Sequence, residues 1–144
     1  MFVIIMGCGR VGARVASAMS RGGHEVLILD VNASAFDRLD ADFGGTTVVG
    51  NGIDMDVLRR IGIERADAFL ACTQGDNRNI MASQIAQHIF NVSKVVTRIY
   101  DPLRQDTFKA LGLEAISSTV IAADRFIEVL DPDLVQEGLA VDRA

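Results

Sequence analysis

The sequence predicts an α/β domain built on a doubly wound parallel sheet of six strands, in the order 3-2-1-4-5-6. Short apolar strand patterns alternate with helical patterns along most of the chain, a glycine-rich segment directly follows the first strand, and an aspartate ends the second. Strands that alternate with helices imply parallel β-α-β units joined by right-handed crossovers. At 144 residues, of which 49% are hydrophobic, the chain has the size of one ordinary domain. Together these features indicate a Rossmann-like fold.

The first half of the chain contains three strand patterns separated by two helical patterns. The first strand is apolar throughout, which is typical of a strand buried on both faces. The predicted strands cover residues 2–6, 26–29 and 46–49. The first helix begins near Arg10 and ends at the pair Gly22-Gly23, because glycine readily takes a left-handed C-cap conformation. The second helix is predicted over residues 33–42, with Asn32 as its N-cap.

The second half repeats the alternation. Its predicted strands cover residues 68–72, 94–99 and 114–116. Its predicted helices cover residues 54–62, 76–90, 102–111 and 120–130. Pro102 suits a first helical turn, and Asp54 suits an N-cap. From Asp131 onward the pattern is weak, so we expect one domain over residues 1–130 and a C-terminal tail over residues 131–144.

Composition excludes several classes of protein. The net charge is −5, which argues against nucleic acid as a partner, since nucleic-acid binding rewards clustered Lys and Arg. The two cysteines form no CxxC pair or Cys/His cluster, so neither a disulfide framework nor a structural zinc site is expected. The longest apolar run is too short to span a bilayer, and no signal peptide is recognisable, so we expect a cytoplasmic chain. A Walker lysine motif is missing, which makes P-loop ATP hydrolysis unexpected.

The glycine-rich segment has the Gly-X-Gly-X-X-Gly spacing of dinucleotide-binding turns, and it stands between a buried strand and a helix, as that reading requires. Its residues are Gly7, Cys8, Gly9, Arg10, Val11 and Gly12. Gly7 permits a tight turn, Gly9 lets a pyrophosphate approach the backbone, and Gly12 permits close helix–strand packing. The phosphates then lie at the positive end of the helix dipole. The alternative is that the glycines serve packing alone.

Asp30 supports the nucleotide interpretation. The dinucleotide fingerprint places a carboxylate about 20 residues after the motif, at the end of the second strand, where it binds the ribose hydroxyls. Asp30 stands there, with Val31 and Asn32 beside it. Its charge disfavours a 2′-phosphate, and hence NADP, relative to NAD or a plain adenine nucleotide. The alternative is a solvated aspartate in a loop.

Other strand ends supply further candidates for the same crevice. These residues are Asn51, Gly52, Thr73, Gln74, Asn79 and Arg98. Asn51 and Thr73 are expected at adenine or ribose edges, whereas Arg98 and Arg10 suit phosphate charge. The alternatives are surface ion pairs for the arginines and helix capping for Asn79. The sequence indicates neither catalytic residues nor metal ligands.

These motifs together resemble a known family. MGCGRVGARVA at residues 6–16 carries the turn, and the segments IGIERADAF and GDNRN, at residues 61–69 and 75–79, are far more specific than the glycine pattern. Over residues 6–130 the chain resembles the KTN domain, also called the RCK N-terminal or TrkA-N domain, of Trk and Ktr potassium-uptake regulators. The resemblance implies a cytoplasmic module, peripheral at the inner membrane face, that binds NAD(H) or ATP/ADP and controls a membrane potassium transporter or channel subunit.

The resemblance also implies the pocket residues Gly7, Gly9, Arg10, Asp30, Asn51, Thr73 and Arg98. Asn51 departs from the family, because many relatives carry aspartate there, and we expect altered adenine or ribose contacts. Val120 falls near the position where some ATP-type members carry a metal-linked glutamate, so we expect no bridging divalent ion. Full-length regulators often continue into a C-terminal ligand domain, which this chain is too short to hold.

Two functions remain open at this stage: a non-catalytic nucleotide-sensing regulatory subunit, and the Rossmann domain of an NAD-dependent oxidoreductase. Hydride transfer needs a second wall that positions the substrate over the nicotinamide and excludes water. Only one helix and the tail follow the last predicted strand, and no acid–base pair stands near the expected nicotinamide end. The sequence therefore favours the regulatory subunit.

The last predicted helix is apolar over more than one face. Its apolar residues are Val120, Ile121, Ala123, Phe126, Ile127, Val129 and Leu130. One face packs on the sheet, and the remainder needs another cover. The family resemblance implies a homodimer through this helix and further assembly into a ring, and the alternative is that the tail folds back over it.

Overall fold

All six strands lie in one parallel sheet with the order β3-β2-β1-β4-β5-β6, as the sequence predicts. The computed structural model describes residues 1–136. The strands are β1 Phe2–Met6, β2 Glu25–Asp30, β3 Thr46–Val49, β4 Ala68–Ala71, β5 Lys94–Ile99 and β6 Glu114–Ser117. β1 is central: its Ile4 lies between Leu27 of β2 and Phe69 of β4. Strong burial of these three side chains explains why the central strands read as continuous apolar runs.

Helices pack against both faces of the sheet. The α-helices are α1 Arg10–Arg21, α2 Met55–Arg60, α3 Asp76–Gln84, α4 Gln105–Ala110, α5 Ser118–Leu130 and α6 Pro132–Gln136. Short 3₁₀-helices occupy Ala33–Arg38, Ile63–Arg65 and Pro102–Arg104, and a π-helical turn at Ile85–Ile89 extends α3. Within residues 1–136, no helix has the length and apolar character that a bilayer crossing requires.

One predicted helix is wrong in type and length. The sequence predicts an α-helix over residues 33–42, but only a 3₁₀-helix over Ala33–Arg38 forms, and it ends at Leu39, whose backbone is extended. Asn32 caps it, as predicted. The backbone amide of Asp40 donates a hydrogen bond to the hydroxyl of Ser17 on α1, at 3.2 Å, instead of continuing a helical ladder. A tertiary contact has therefore replaced the last helical turn.

The C-terminal end also differs from the expected pattern. The tail was expected to be weakly patterned, yet it contains the short helix α6 over Pro132–Gln136. Pro132 is the first residue of that helix, where its missing amide costs no hydrogen bond. The rest of the predicted tail, residues 137–144, lies outside the described residues.

The sheet divides the apolar core into two main clusters, one on each face. Ile4, Leu58 and Phe69 belong to one cluster, and all three are almost completely buried. Ile5 and Ile28 belong to the other, together with the buried alanines of α1. Because β1 contributes alternate side chains to both clusters, it is anchored from above and below. Its C-terminal end is therefore a rigid base for the turn that follows.

The strand order reverses between β1 and β4, and this reversal opens a crevice at the carboxyl ends of the strands. The crevice lies beside the N-terminus of α1. Gly12 allows α1 to lie close to β1, since a Cβ at this position would overlap the carbonyl oxygen of Gly7. The role of Gly12 is therefore packing, as its place in the motif predicts.

Candidate nucleotide-binding site

A cavity of about 580 Å³ occupies the crevice at the strand reversal. This volume lies within the range of small-molecule sites in proteins. All predicted site residues except Gly12 and Asn79 line it: Gly7, Cys8, Gly9, Arg10, Val11, Asp30, Val31, Asn32, Asn51, Gly52, Thr73, Gln74 and Arg98. The fold thus brings together side chains and turns that lie up to about ninety residues apart in the sequence.

The glycine-rich turn leaves room for a phosphate. Gly7 has φ +105°, a conformation that favours glycine, and a Cβ there would lie 2.7 Å from the carbonyl oxygen of Cys72. Gly9, by contrast, is extended, with φ −78° and ψ −169°, and a Cβ there would meet nothing within 4 Å. Gly9 is the N-cap of α1 and offers no capping side chain. The first amides of α1 therefore face an open space at the positive end of the helix, which is where an anion binds.

Asp30 joins the end of β2 to the glycine-rich turn. Its Oδ2 accepts a hydrogen bond from the Cys8 amide at 2.8 Å, and its Oδ1 accepts one from the Asn32 amide at 2.9 Å. A carboxylate has about four acceptor positions, so both oxygens keep capacity for ribose hydroxyls. Asp30 therefore shapes the turn and still offers the acceptors that a ribose requires.

Cys8 lies at the floor of the turn and is completely buried. Burial, with a smaller contribution from the Asp30 charge, raises the pKa of the Cys8 thiol from its ordinary value of 9.0 to about 11. Burial also raises the pKa of Cys72, against the opposing effect of Arg98. Both thiols are protonated at neutral pH, and a protonated thiol is a poor nucleophile.

Asn79 is fully buried and does not line the cavity, contrary to the sequence prediction. Its Oδ1 accepts hydrogen bonds from the amide of Thr73 at 2.9 Å and from its hydroxyl at 2.6 Å. Its Nδ2 donates to the carbonyl oxygens of Thr73 and Arg98, both at 3.0 Å. Nor is Asn79 a helix cap, because Gly75 is the N-cap of α3. Asn79 instead fixes the loop after β4 against the end of β5.

The cavity is rich in arginine. Arg10 and Arg98 are predicted site residues, whereas Arg38 and Arg78 are additional. In the part of the chain that the structure describes, none of the four forms an ion pair with a carboxylate. Unneutralised guanidinium groups around one cavity, in a chain of net charge −5, favour a phosphate-bearing ligand.

Local contacts position two of these arginines. The Nε of Arg98 donates to the hydroxyl of Ser118 at 3.1 Å, and its guanidinium carbon lies 4.2 Å from the centroid of the Tyr100 ring. A terminal nitrogen of Arg38 donates to the carbonyl oxygen of Cys8 at 3.4 Å. Arg98 therefore lies on the β5 side of the cavity, and Arg38 lies beside the glycine-rich turn.

Sequence reasoning missed several lining residues. They are Met6, Leu29, Ala35, Arg38, Gly50, Cys72, Arg78 and Tyr100. No motif spacing marks Arg38, which is the last residue of the 3₁₀-helix Ala33–Arg38. Tyr100 directly follows β5, so the rule that ligands bind at strand ends was a sufficient signal for it. Among the described residues, no group of three or more His, Cys, Asp or Glu is assembled that could hold a metal ion.

Comparison with known proteins shows which family this chain resembles. The TrkA-N domain family model matches residues 3–119. The Trk system potassium uptake protein TrkA of Streptomyces coelicolor is 43% identical over 132 residues, which cover 92% of this chain and 59% of that protein. The Trk system potassium uptake protein TrkA homolog of Methanothermobacter thermautotrophicus is 28% identical over 90% of this chain and 60% of its own length. The chain thus spans about three fifths of these curated relatives.

Two solved structures share the fold. The GsuK channel bound to NAD matches with a TM-score of 0.79 and 22% identity, over 92% of this chain and 23% of that chain. The Kef CTD of Shewanella denitrificans in its AMP-bound form matches with a TM-score of 0.76 and 24% identity, over 90% of this chain and 80% of that chain. The sheet order, the glycine-rich turn and the family match agree, and the chain belongs to the TrkA-N domain family.

Proposed function

We propose that this chain is the nucleotide-binding regulatory module of a potassium uptake system. The observation that carries the proposal is the cavity itself, in which an open glycine-rich turn, the Asp30 carboxylate and unpaired arginines converge. Membership of the TrkA-N family and 43% identity to a Trk potassium uptake protein support the regulatory role. The nucleotide-binding domain spans residues 1–130 in this proposal, and residues 131–144 form a tail.

The ligand is an adenine nucleotide, NAD(H) or ATP/ADP. Its phosphates lie over Gly9 and the first amides of α1, and its ribose hydroxyls bind Asp30. Asn51 and Val31 lie near the adenosine half, since they follow β3 and β2, whereas Arg98 follows β5 on the opposite side. Neighbours of the same fold bound to NAD and to AMP support this choice of ligand.

The module acts without catalysing a reaction on its nucleotide. The two thiols that line the cavity, Cys8 and Cys72, have raised pKa values, which removes them as nucleophiles at neutral pH. Over residues 1–136, Asp30 is the only histidine or carboxylate residue that lines the cavity, and two amides already hydrogen-bond to it. One such group does not form an acid–base pair.

The transmitting surface in this proposal is α5. Phe126 is 68% exposed and Leu130 is 84% exposed. An apolar groove of about 800 Å³ is lined by Phe126, by Leu70 of β4 and by Val96 of β5. A second copy of the chain presents the same apolar face, so a twofold homodimer covers both faces at once. The membrane partner is a potassium transporter or channel subunit at the inner face of the membrane. Nucleic acid is not a partner.

Three measurements test the proposed function. Mass spectrometry of the small molecules released from freshly purified protein is expected to identify an adenine nucleotide, and calorimetric titration is expected to give one saturable site for each chain. In cells that lack the endogenous protein, the wild-type chain is expected to restore potassium uptake, and a variant that cannot bind nucleotide is expected not to restore it. A protein that carries no nucleotide and binds none of AMP, ADP, ATP, NAD⁺ or NADH contradicts the proposal.

A further inference from the structure

A second cavity, of about 700 Å³, lies along the outer face of α1, and we call it the α1 groove. Arg14 and Arg21 line it from α1, and Asp40 lines it from the segment after the 3₁₀-helix. Arg10 and Arg38 line both this groove and the nucleotide cavity. The two cavities are therefore neighbours that share these two arginines.

The positive charges of the α1 groove are mostly uncompensated. Arg21 is neutralised, since its terminal nitrogen lies 2.8 Å from Asp40 and 3.8 Å from Asp42. Over residues 1–136, by contrast, no carboxylate pairs with Arg10, Arg14 or Arg38. Arg10 and Arg14 are one helical turn apart, where like charges destabilise a helix. An acidic chain that nevertheless concentrates three unpaired arginines in one groove offers a site for an anion.

The position of the groove relative to Asp30 indicates what kind of anion reaches it. Asp30 accepts a hydrogen bond from the amide of Cys8, and Arg38 donates one to the carbonyl oxygen of the same residue. Asp30, the proposed ribose ligand, and Arg38, which lines the groove, therefore both contact Cys8 in the glycine-rich turn. A phosphoryl group on the ribose, or one at the far end of a phosphate chain that passes Arg10, is therefore the kind of anion that suits this groove.

We propose that the α1 groove is a second phosphate subsite, which binds a phosphoryl group that the nucleotide carries beyond the phosphates held at the glycine-rich turn. This inference rests on the proposed nucleotide-binding function. Arg14 is its specificity-determining residue, because Arg14 lines the groove and not the nucleotide cavity. A planar guanidinium matches the oxygens of a phosphoryl group. The two amide hydrogen bonds on Asp30 temper its repulsion of a ribose 2′-phosphate.

The test is calorimetric titration of AMP, ATP, NAD⁺ and NADP⁺ into the wild-type chain and into Arg14→Gln. Arg14 is exposed on α1, and glutamine is a good helix former, so the fold is expected to be retained. Arg60→Gln is the matched control: Arg60 is also an exposed helical arginine, and it lines neither cavity. Both variants remove one positive charge, so a long-range charge effect acts on both.

Arg14→Gln is expected to weaken the affinity for either ATP or NADP⁺ by about tenfold or more, the cost of one lost hydrogen bond to a charged group. The affinities for AMP and NAD⁺ are expected to be unchanged. If only the affinity for NADP⁺ falls, the subsite binds a ribose 2′-phosphate. If only the affinity for ATP falls, it binds the end of the 5′-phosphate chain. Arg60→Gln is expected to bind all four as the wild type does. Equal affinities of Arg14→Gln and wild type for every nucleotide, or equal losses for all four, overturn the subsite. A wild-type chain that binds none of the four overturns the proposed function instead.

Discussion

At the scale of single residues, Asp30 is the clearest case of one side chain with two roles. It holds the Cys8 amide in place, and it presents its remaining lone pairs to the cavity. The sequence predicted its ligand role from its spacing after the glycine motif and its place at a strand end. The hydrogen bond to the turn was not predictable from spacing, because it depends on the side-chain rotamer of Asp30 once β1 and β2 are paired.

Asp30→Ala is expected to weaken nucleotide binding by about 1.5–3 kcal/mol, the scale of a lost hydrogen bond to a charged group. Calorimetric titration measures the dissociation constant directly. Asp37→Ala is the control, since Asp37 is an exposed aspartate of the nearby 3₁₀-helix and lines no part of the cavity. An unchanged dissociation constant for Asp30→Ala removes this carboxylate from the site.

At the scale of elements, the order of the strands was predictable because two β-α-β-α-β halves, with a glycine-rich turn after the first strand, are typical of the Rossmann fold, which has this order. The structure of the segment over residues 33–42 was not predictable in this way. Its composition suits a helix, but a tertiary hydrogen bond between Asp40 and Ser17 ends it early. Arg38, the last residue of the 3₁₀-helix that forms there, lines the cavity although no spacing rule marked it. No local pattern carries that information.

Asn79 shows a second limit of prediction at this scale. The residue follows a strand end, as a ligand-binding residue does, yet it lies in the first turn of α3 and turns inward. There it links α3, the loop after β4 and the end of β5 through Thr73 and Arg98. A sequence pattern places a residue near a crevice, whereas the packing of three elements decides whether its side chain reaches the ligand.

Asn79→Ala is expected to lower the free energy of unfolding by at least about 2 kcal/mol, because each buried polar group left without a partner costs about 1–3 kcal/mol. Asn77→Ala is the matched control, two positions away on the same helix. Asn77 is exposed and accepts one hydrogen bond from Arg104 at the surface, so a change within about 0.5 kcal/mol is expected. Urea denaturation measures both. Equal stability of the two variants contradicts the positioning role of Asn79.

At the scale of the whole molecule, the nucleotide cavity and α5 are connected through β5. Arg98 lines the cavity and donates to Ser118, the first residue of α5. A nucleotide that attracts the Arg98 guanidinium competes for the group that anchors α5. In the homodimer proposed above, we expect different nucleotides to favour different orientations of this helix and hence different angles between the two subunits, a population shift driven by differential affinity.

Phe126→Asp is expected to convert the wild-type dimer, or larger assembly, to a monomer at micromolar concentration, because a carboxylate then has to be desolvated in an apolar interface. Light scattering gives the molar mass. Leu103→Asp is the control: Leu103 is 90% exposed but lies on the 3₁₀-helix Pro102–Arg104, away from α5. A monomeric wild type, or a Phe126→Asp variant with the wild-type mass, contradicts assembly through α5.

The most direct test of the central claim, that the glycine-rich turn binds an adenine nucleotide, is calorimetric titration of Gly9→Val. Valine readily adopts the extended backbone of Gly9, and a Cβ there meets no atom within 4 Å, so the thermal unfolding and circular dichroism are expected to match the wild type. Gly44→Val is the control, since Gly44 is exposed and its Cβ would meet only the Ser20 hydroxyl at an ordinary 3.5 Å. The account predicts that Gly44→Val binds the nucleotide as the wild type does and that Gly9→Val, with its side chain in the phosphate space, does not bind. A natively folded Gly9→Val variant with wild-type affinity would show that the nucleotide binds elsewhere or that this turn holds no phosphate.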